Sequence, residues 1–276
     1  MSTQSMPPDD MQPLLDMSLA DAVAAGDAQL SELRALYERV RGLERMKSTL
    51  LDIAAHDLRN PIGAIRNLTE LMLGQENMPA ERRIAMLRDI LTAASNAARI
   101  IDDLLVLQRI DRSERDVTFR SIEVGALLRS AVQQISPGAD SRRQTVRAQY
   151  ASEPAVILGE PALLREAFLN VLDNAVKYTP ESGMISVRMM TTLENAFIDV
   201  VDSGVGFDSD EAALIFEPFY RGRIGIQRGI AGTGLGLHIV KQVVEQHGGG
   251  VSAENRPGGG AVFTIVLPLL SGLFRE

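Results

Sequence analysis

Apolar positions recur near the front of the chain at Leu30, Leu33, Tyr37 and Val40, then at Leu43, Met46, Leu50 and Ile53, and from Ala28 to Leu73 the only proline is Pro61. This spacing predicts one helix of about 45 residues, ~70 Å long. Residues 28–50 read as a coiled coil whose phase slips where Val40, Leu43 and Met46 follow each other at steps of three. Such a helix is unstable alone, and a second copy of the chain is its simplest partner. Pro61 removes the hydrogen bond to the Asp57 carbonyl and is expected to bend the helix there. Gly74 and Pro79 bracket a short connection, after which Ile84, Leu87, Leu91, Ala94, Ala98, Ile101, Leu105 and Val106 mark one face of a second helix, about 80–111. The two helices form an antiparallel hairpin over 45–112, and two hairpins make a four-helix bundle. Residues 1–27, with Pro7, Pro8 and Pro13, read as a loose leader in which 18–25 can form a short helix.

Beyond a charged hinge, Asp111 to Asp116, the periodicity changes to short strands mixed with helices, which marks a second domain over 117–270. The pattern predicts a strand at 117–120, a helix at 123–135, a polar turn at Ser136-Pro137-Gly138, strands at 144–149 and 155–158, and a helix at 161–178. Strands at 184–192 and 195–201, a short helix at 208–215 and a loop at 218–232 follow. A helix at 233–247 and strands at 250–254 and 261–267 close the domain. This order predicts one mixed sheet with helices on one face, an α/β sandwich.

Composition narrows the classes. The 276 residues are 45% hydrophobic, enough for two ordinary cores, and the net charge of −8 speaks against a nucleic-acid partner. No apolar run reaches the ~18 residues of a membrane span, and Met1 to Asp10 lack a signal pattern, so a cytoplasmic location is expected. The absence of cysteine excludes disulfides and thiolate metal sites.

Candidate chemistry begins at His56-Asp57-Leu58-Arg59-Asn60-Pro61. His56 and Asn60 lie one helical turn apart on one face, with Asp57 beside the imidazole, so a carboxylate can hold one ring nitrogen protonated while the other attacks. A surface histidine on an ordinary helix reads equally well from this stretch alone. Asn170, Asn174 and Lys177 form a polar stripe on an otherwise apolar helix, and offer amide oxygens to Mg²⁺ and a charge to phosphate. A strand from Ile198 runs into Asp202-Ser-Gly204-Val-Gly206, where a carboxylate at the strand end can accept from an exocyclic amine and the glycines admit a ligand. Phe216-Glu217-Pro218-Phe219-Tyr220-Arg221 leads into a glycine-rich stretch with the composition of a lid or of a surface loop. Gly232-Thr233-Gly234-Leu235-Gly236 then opens a helix whose N-terminus suits a phosphate chain, with neither the lysine of a Walker loop nor a preceding strand.

Taken in this order, the segments resemble the sensor histidine kinases of two-component signalling. His56 to Pro61 is similar to the family's H box, Asn170 to Tyr178 to its N box, Asp202 to Gly206 to its G1 box, Phe216 to Phe219 to its F box, and Gly232 to Gly236 to its G2 box. The resemblance covers about residues 45–268. It implies a dimeric phosphotransfer hairpin and a catalytic domain of the GHKL (Bergerat) ATPase fold that binds ATP and Mg²⁺. It further implies autophosphorylation of His56, transfer to an aspartate on a response regulator receiver domain, and the reverse phosphatase activity. By resemblance, Asn174 ligates the metal with Asn170 at the same site, Lys177 and Tyr178 contact the nucleotide, Asp202 reads adenine and Arg221 reaches the γ-phosphate. Gly204, Gly206, Gly232, Thr233, Gly234, Leu235 and Gly236 would line the site, Asp57 would orient His56 and take its proton, and Asn60 would hold the phosphatase water. The lid, 222–231, is more apolar than the family's. His238 and His247 are expected to cap or pack. A separate sensory protein on the leader or first helix would bring the signal. The rival readings are a coiled-coil scaffold with a decayed nucleotide domain, and a serine kinase or ATPase of the same nucleotide fold.

Overall fold

The computed structural model describes residues 33, 34, 36–38, 41, 52–75, 78–116, 119–230 and 232–270, with only the backbone for 111–116. The expected leader and most of the expected coiled coil therefore lie outside the described residues. The chain divides into two units, Met1–Ala55 and His56–Glu276. In the first, every described residue is helical, and the Arg41 guanidinium lies 5.2 Å from the centre of the Tyr37 ring.

The second unit opens with helix α1 over 56–73, ended at Gly74, whose N–H donates to the Glu70 carbonyl at 3.0 Å. Helix α2 spans Ala80–Asp116. The charged segment 111–116, expected to be a hinge, is thus helical, because Asp, Arg, Ser and Glu are all tolerated in a helix. Strand β1 is Arg120–Glu123, later than the expected 117–120. Helix α3, Val124–Ser141, runs straight through the expected turn at Pro137. Burial of Ile135 and Ala139 in the core holds that turn helical against the lost Pro137 N–H, and Ser136 Oγ donates to the Val132 carbonyl at 2.8 Å. Strands β2 (Thr145–Gln149) and β3 (Val156–Gly159) lead to helix α4, Pro161–Tyr178, where Pro161 occupies the first turn and Glu160 caps it by accepting from Leu163 N.

The remaining elements are β4 (Met184–Thr191), β5 (Asn195–Asp202), a short helix α5 (Arg223–Gln227), α6 (Gly236–Gln246), β6 (Gly250–Asn255) and β7 (Ala261–Pro268). Two single 3₁₀ turns, Ser209–Glu211 and Leu214–Phe216, replace the helix expected at 208–215, and α5 lies inside the expected loop. The main sheet has the order β2-β4-β5-β7-β6, parallel only between β2 and β4, and β1 pairs with β3 in a separate two-stranded sheet. Alternate residues Ile185, Val187 and Met189 of β4, Ala196, Ile198 and Val200 of β5, and Ala261, Phe263, Ile265 and Leu267 of β7 are buried, as the strand period requires. They share one core with Leu164, Phe168, Val171 and Leu172 of α4 and with Ile239, Val240 and Val243 of α6. Val106 and Ile110 extend that core to α2. The result is the expected α/β sandwich behind a helical segment.

His247 closes one end of this core. Its ring stacks on Phe119 at 5.1 Å, Nε2 accepts from Glu160 N at 3.0 Å, and Nδ1 lies 2.6 Å from the Val243 carbonyl, so the neutral Nδ1–H tautomer satisfies both partners. Burial holds this imidazole below its ordinary value of 6.5. As pH falls the unfolded chain takes up the proton first, so the stability His247 contributes is complete above about 6.5 and is lost as pH falls through the folded-state value. Urea unfolding from pH 8 to pH 5 should therefore show a loss of midpoint on the acid side that is smaller in His247→Gln than in the parent chain.

Candidate functional site

A cavity open to solvent at its mouth collects most of the chemically marked residues. Asn170, Asn174, Lys177 and Tyr178 reach it from α4, Asp202 and Gly206 from the end of β5 and the turn after it, and Gly232, Thr233, Gly234 and Gly236 from the start of α6. Arg221 borders it at the lid. The apolar face of α4 is committed to the core, which turns the Asn170–Asn174–Lys177 stripe outward into this space.

Asp202 is 3% exposed, and its Oδ1 accepts from Gly204 N at 2.7 Å and Ala261 N at 3.3 Å. Burial raises its carboxyl above the ordinary carboxylate range, against those two bonds. Oδ2 has no hydrogen bond from the described residues, and the apolar Ile215, Ile224, Leu237 and Phe263 line the same cavity. A partly apolar cavity with one free carboxylate oxygen fits a flat base bearing an amine. On the same wall, Asn170 Nδ2 donates to the Glu166 carbonyl at 3.1 Å, which leaves Oδ1 as an acceptor, and Asn174 has no partner among the described residues. No group of three or more His, Cys, Asp or Glu side chains that could hold a metal occurs among the described residues. The amide oxygens of Asn170 and Asn174 fit Mg²⁺ when phosphate oxygens and water complete its shell.

The glycines make close approach possible. A Cβ on Gly236 would stand 2.7 Å from Asn170 Oδ1, so α6 can start against α4 only without one. Gly234 has φ +76°, and a Cβ there would lie 2.6 Å from the Phe219 carbonyl carbon. Helix α6 begins at Gly236, three residues after the expected start, because Thr233 and Gly234 are spent on the loop. Leu235, expected to line the site, does not: its side chain is fully buried and its N–H donates to Thr233 Oγ1 at 3.1 Å. Gly204 is likewise absent from the cavity wall and acts by allowing the Tyr178 carbonyl to come close.

Other wall residues carry no motif. Glu211, 1% exposed, accepts from the Tyr220 hydroxyl at 2.8 Å, from Arg223 N at 2.9 Å and from Asp208 N at 3.2 Å. Burial alone would raise its carboxyl, but these donors together with the Arg223 charge hold it below the ordinary value. Glu211 thereby ties the leading stem of the lid at Tyr220 and Arg223, and Arg221 Nη2 donates to the Ile230 carbonyl at 2.7 Å. From α2, Arg99 and Asp103 complete the wall, with Thr233 Oγ1 donating to Asp103 Oδ2 at 2.8 Å. Asp103 shares a helical stripe with the buried Val106 and Ile110, a polar residue on a core-facing stripe, and that spacing was a legible signal.

His56, Asp57 and Asn60 are not part of the cavity wall. They lie on α1, where His56 Nδ1 is 3.3 Å from Asp57 Oδ1, with side chains 68% and 36% exposed. That contact leaves Nε2 open to solvent. His238 and His247 pack as expected, His238 Nδ1 lying 3.1 Å from the Phe216 carbonyl.

Residues 46–113 match the His Kinase A (phospho-acceptor) domain, and residues 159–271 match the Histidine kinase-, DNA gyrase B-, and HSP90-like ATPase family. The chain belongs to the sensor histidine kinases. It is 31% identical over 236 residues to the sensor-like histidine kinase SenX3 of Mycobacterium bovis, an alignment covering 84% of this chain and 57% of that protein. It is 30% identical over 270 residues to the signal transduction histidine-protein kinase/phosphatase MprB of a Mycobacterium species, covering 94% of this chain and 50% of that one. The chain thus spans little more than half the length of the curated relatives it matches. Among solved structures, the histidine kinase fold recurs in full-length ShkA in complex with AMPPNP, with a TM-score of 0.57, 25% identity, and coverage of 80% of this chain and 46% of that one. Among the described residues of this histidine kinase, no helix is long and apolar enough to cross a membrane.

Gly234→Ala should narrow the loop of this histidine kinase, since the positive φ costs about 1–3 kcal/mol for a side-chain residue and Phe219 must also move. An unfolding free energy from urea titration lowered by that amount, with secondary structure by circular dichroism unchanged, is the expected result.

Proposed function

We propose that the protein is an ATP-dependent histidine kinase that phosphorylates His56 and passes the phosphoryl group to an aspartate of a response regulator receiver domain. The observation that carries this reading is the one cavity lined both by Asp202, which keeps a free carboxylate oxygen, and by the Asn170–Asn174–Lys177 stripe. The ShkA complex supports it, since that related protein binds an ATP analogue. Asp202 Oδ2 would accept from the adenine amine, and Lys177, Arg221 and the backbone of Gly232 to Gly236 would face the phosphates. Mg²⁺, held through Asn174 and Asn170, would neutralise phosphate charge. The chemistry asked of the chain is then positioning and electrostatics.

Asp57 holds the Nδ1 proton of His56, so Nε2 keeps its lone pair for phosphorus. The P–O bond to ADP breaks as the Nε2–P bond forms. The phosphoryl group next moves to the receiver carboxylate, which regenerates the imidazole. Asn60 lacks a basic atom but can orient a water, and we assign it the phosphatase step, an activity that MprB carries in its name. The exposed Leu87, Leu91, Ile101 and Leu105 of α2 suit a second copy of the hairpin, the proposed dimer. A reaction that uses ATP and a receiver domain favours a cytoplasmic location, which we assign to it.

Incubation with labelled ATP and Mg²⁺ should give acid-labile phosphate on the parent chain and none on His56→Gln, which should still bind ATP. Asp202→Asn should weaken ATP binding at least 10-fold by losing a buried acceptor. Acid-stable labelling, or persistent labelling of His56→Gln, would refute the assignment.

The two activities should also separate on α1. Asn60→Ala is expected to leave phosphorylation of His56 near normal while slowing dephosphorylation of the regulator, and Asp57→Ala to slow phosphorylation first. If Asn60→Ala lowered both rates together with the melting temperature, a structural role beside Pro61 would replace the phosphatase role.

A further inference from the structure

Among the described residues three cations border the cavity, and two are engaged: Lys177 pairs with Asp173, and Arg221 donates to the Ile230 carbonyl. The third, Arg99 of α2, feels the charge of Asp103 but makes no hydrogen bond or close ion pair among the described residues, and its Nε is buried without a partner. A buried donor left unmet is unfavourable and is kept where something completes it. One turn along the same helix, Asp103 is fixed by the hydroxyl of Thr233, which at the same time accepts from Leu235 N at the start of α6. That pair of bonds sets α2 against the glycine loop, so Arg99 lines the same cavity as Asn170, Asn174 and Lys177, and the charges of Arg99 and Lys177 both act on Asp103.

We propose that Arg99 is a phosphate-binding residue of the nucleotide site, supplied by the phosphotransfer hairpin and positioned by the Asp103–Thr233 hydrogen bond. The inference rests on the nucleotide reading above and adds to it a wall outside the α/β layer. A planar guanidinium offers paired donors to phosphate oxygens, which a nucleoside without phosphates cannot use. The opposite arrangement, in which α2 is a competitor that phosphates must displace, follows from the Asp103 charge and predicts changes of the opposite sign.

The test is binding to the full chain of Mg·ATP by calorimetry and of adenosine by ligand-detected NMR. Arg99→Ala should weaken Mg·ATP about 10-fold while adenosine affinity stays unchanged, which also reports an intact fold. Arg99→Lys should recover part of the loss, because it keeps the charge and loses the fork. Asp103→Ala should weaken Mg·ATP by a smaller factor, through the placement of α2. Unchanged or tighter Mg·ATP binding in Arg99→Ala overturns the proposal, and so do equal losses for Mg·ATP and adenosine. A parent chain that binds neither ligand overturns the underlying nucleotide reading instead.

Discussion

The approach of α6 to α4 is the constraint on which the site depends. Both helices give their apolar faces to one core, and their polar ends meet where Gly236 lies against Asn170 Oδ1. Without a side chain at 236 the amide stays on the cavity wall and the glycine loop can close over it. The same contact forces the loop to begin its turn at Gly234, with positive φ, under the Phe219 backbone. Core packing, loop conformation and cavity shape are therefore one problem. Burial of hydrophobic side chains drives it, and two glycines make it soluble sterically.

Buried carboxylates divide the work around that cavity. Asp202 is held by two backbone donors on one oxygen and keeps the other free, the arrangement of a recognition group. Glu211 is saturated by donors from Tyr220, Arg223 and Asp208, the arrangement of a structural tie, and it holds the leading stem of a lid whose Ile224 lines the cavity. Asp103 is held by one hydroxyl, and burial raises its carboxyl against the opposing influence of Thr233 and Arg99.

Helix α2 serves two surfaces. Val106 and Ile110 are buried with the α/β core, while Leu87, Leu91, Ile101 and Leu105 remain exposed. A helix with apolar residues around more than one face needs more than one partner. One partner is already present in the α/β layer, and the proposed second hairpin would cover the other. Through Asp103 and Arg99 the same helix also reaches the cavity, so packing of the hairpin and composition of the proposed nucleotide site are physically linked.

Local chemistry determined much of this in advance. Period-two alternation in β4, β5 and β7, the proline-started α4 and the glycine turns placed the sandwich elements, because each is a property of neighbouring residues. The stripe Asn170–Asn174–Lys177 and the Asp202 strand end were legible because helical and strand periods fix which side chains share a face. Where long-range packing competed with a local signal, packing decided. Pro137 sits inside α3 because Ala139 is buried, and Asp111 to Asp116 remain helical where charge had suggested a hinge. Leu235, inside a glycine motif, points into the core, and Glu211, Tyr220, Arg99 and Asp103, in no motif, border the cavity. These are contacts between residues distant in the chain, and periodicity carries no term for what a side chain meets across a fold.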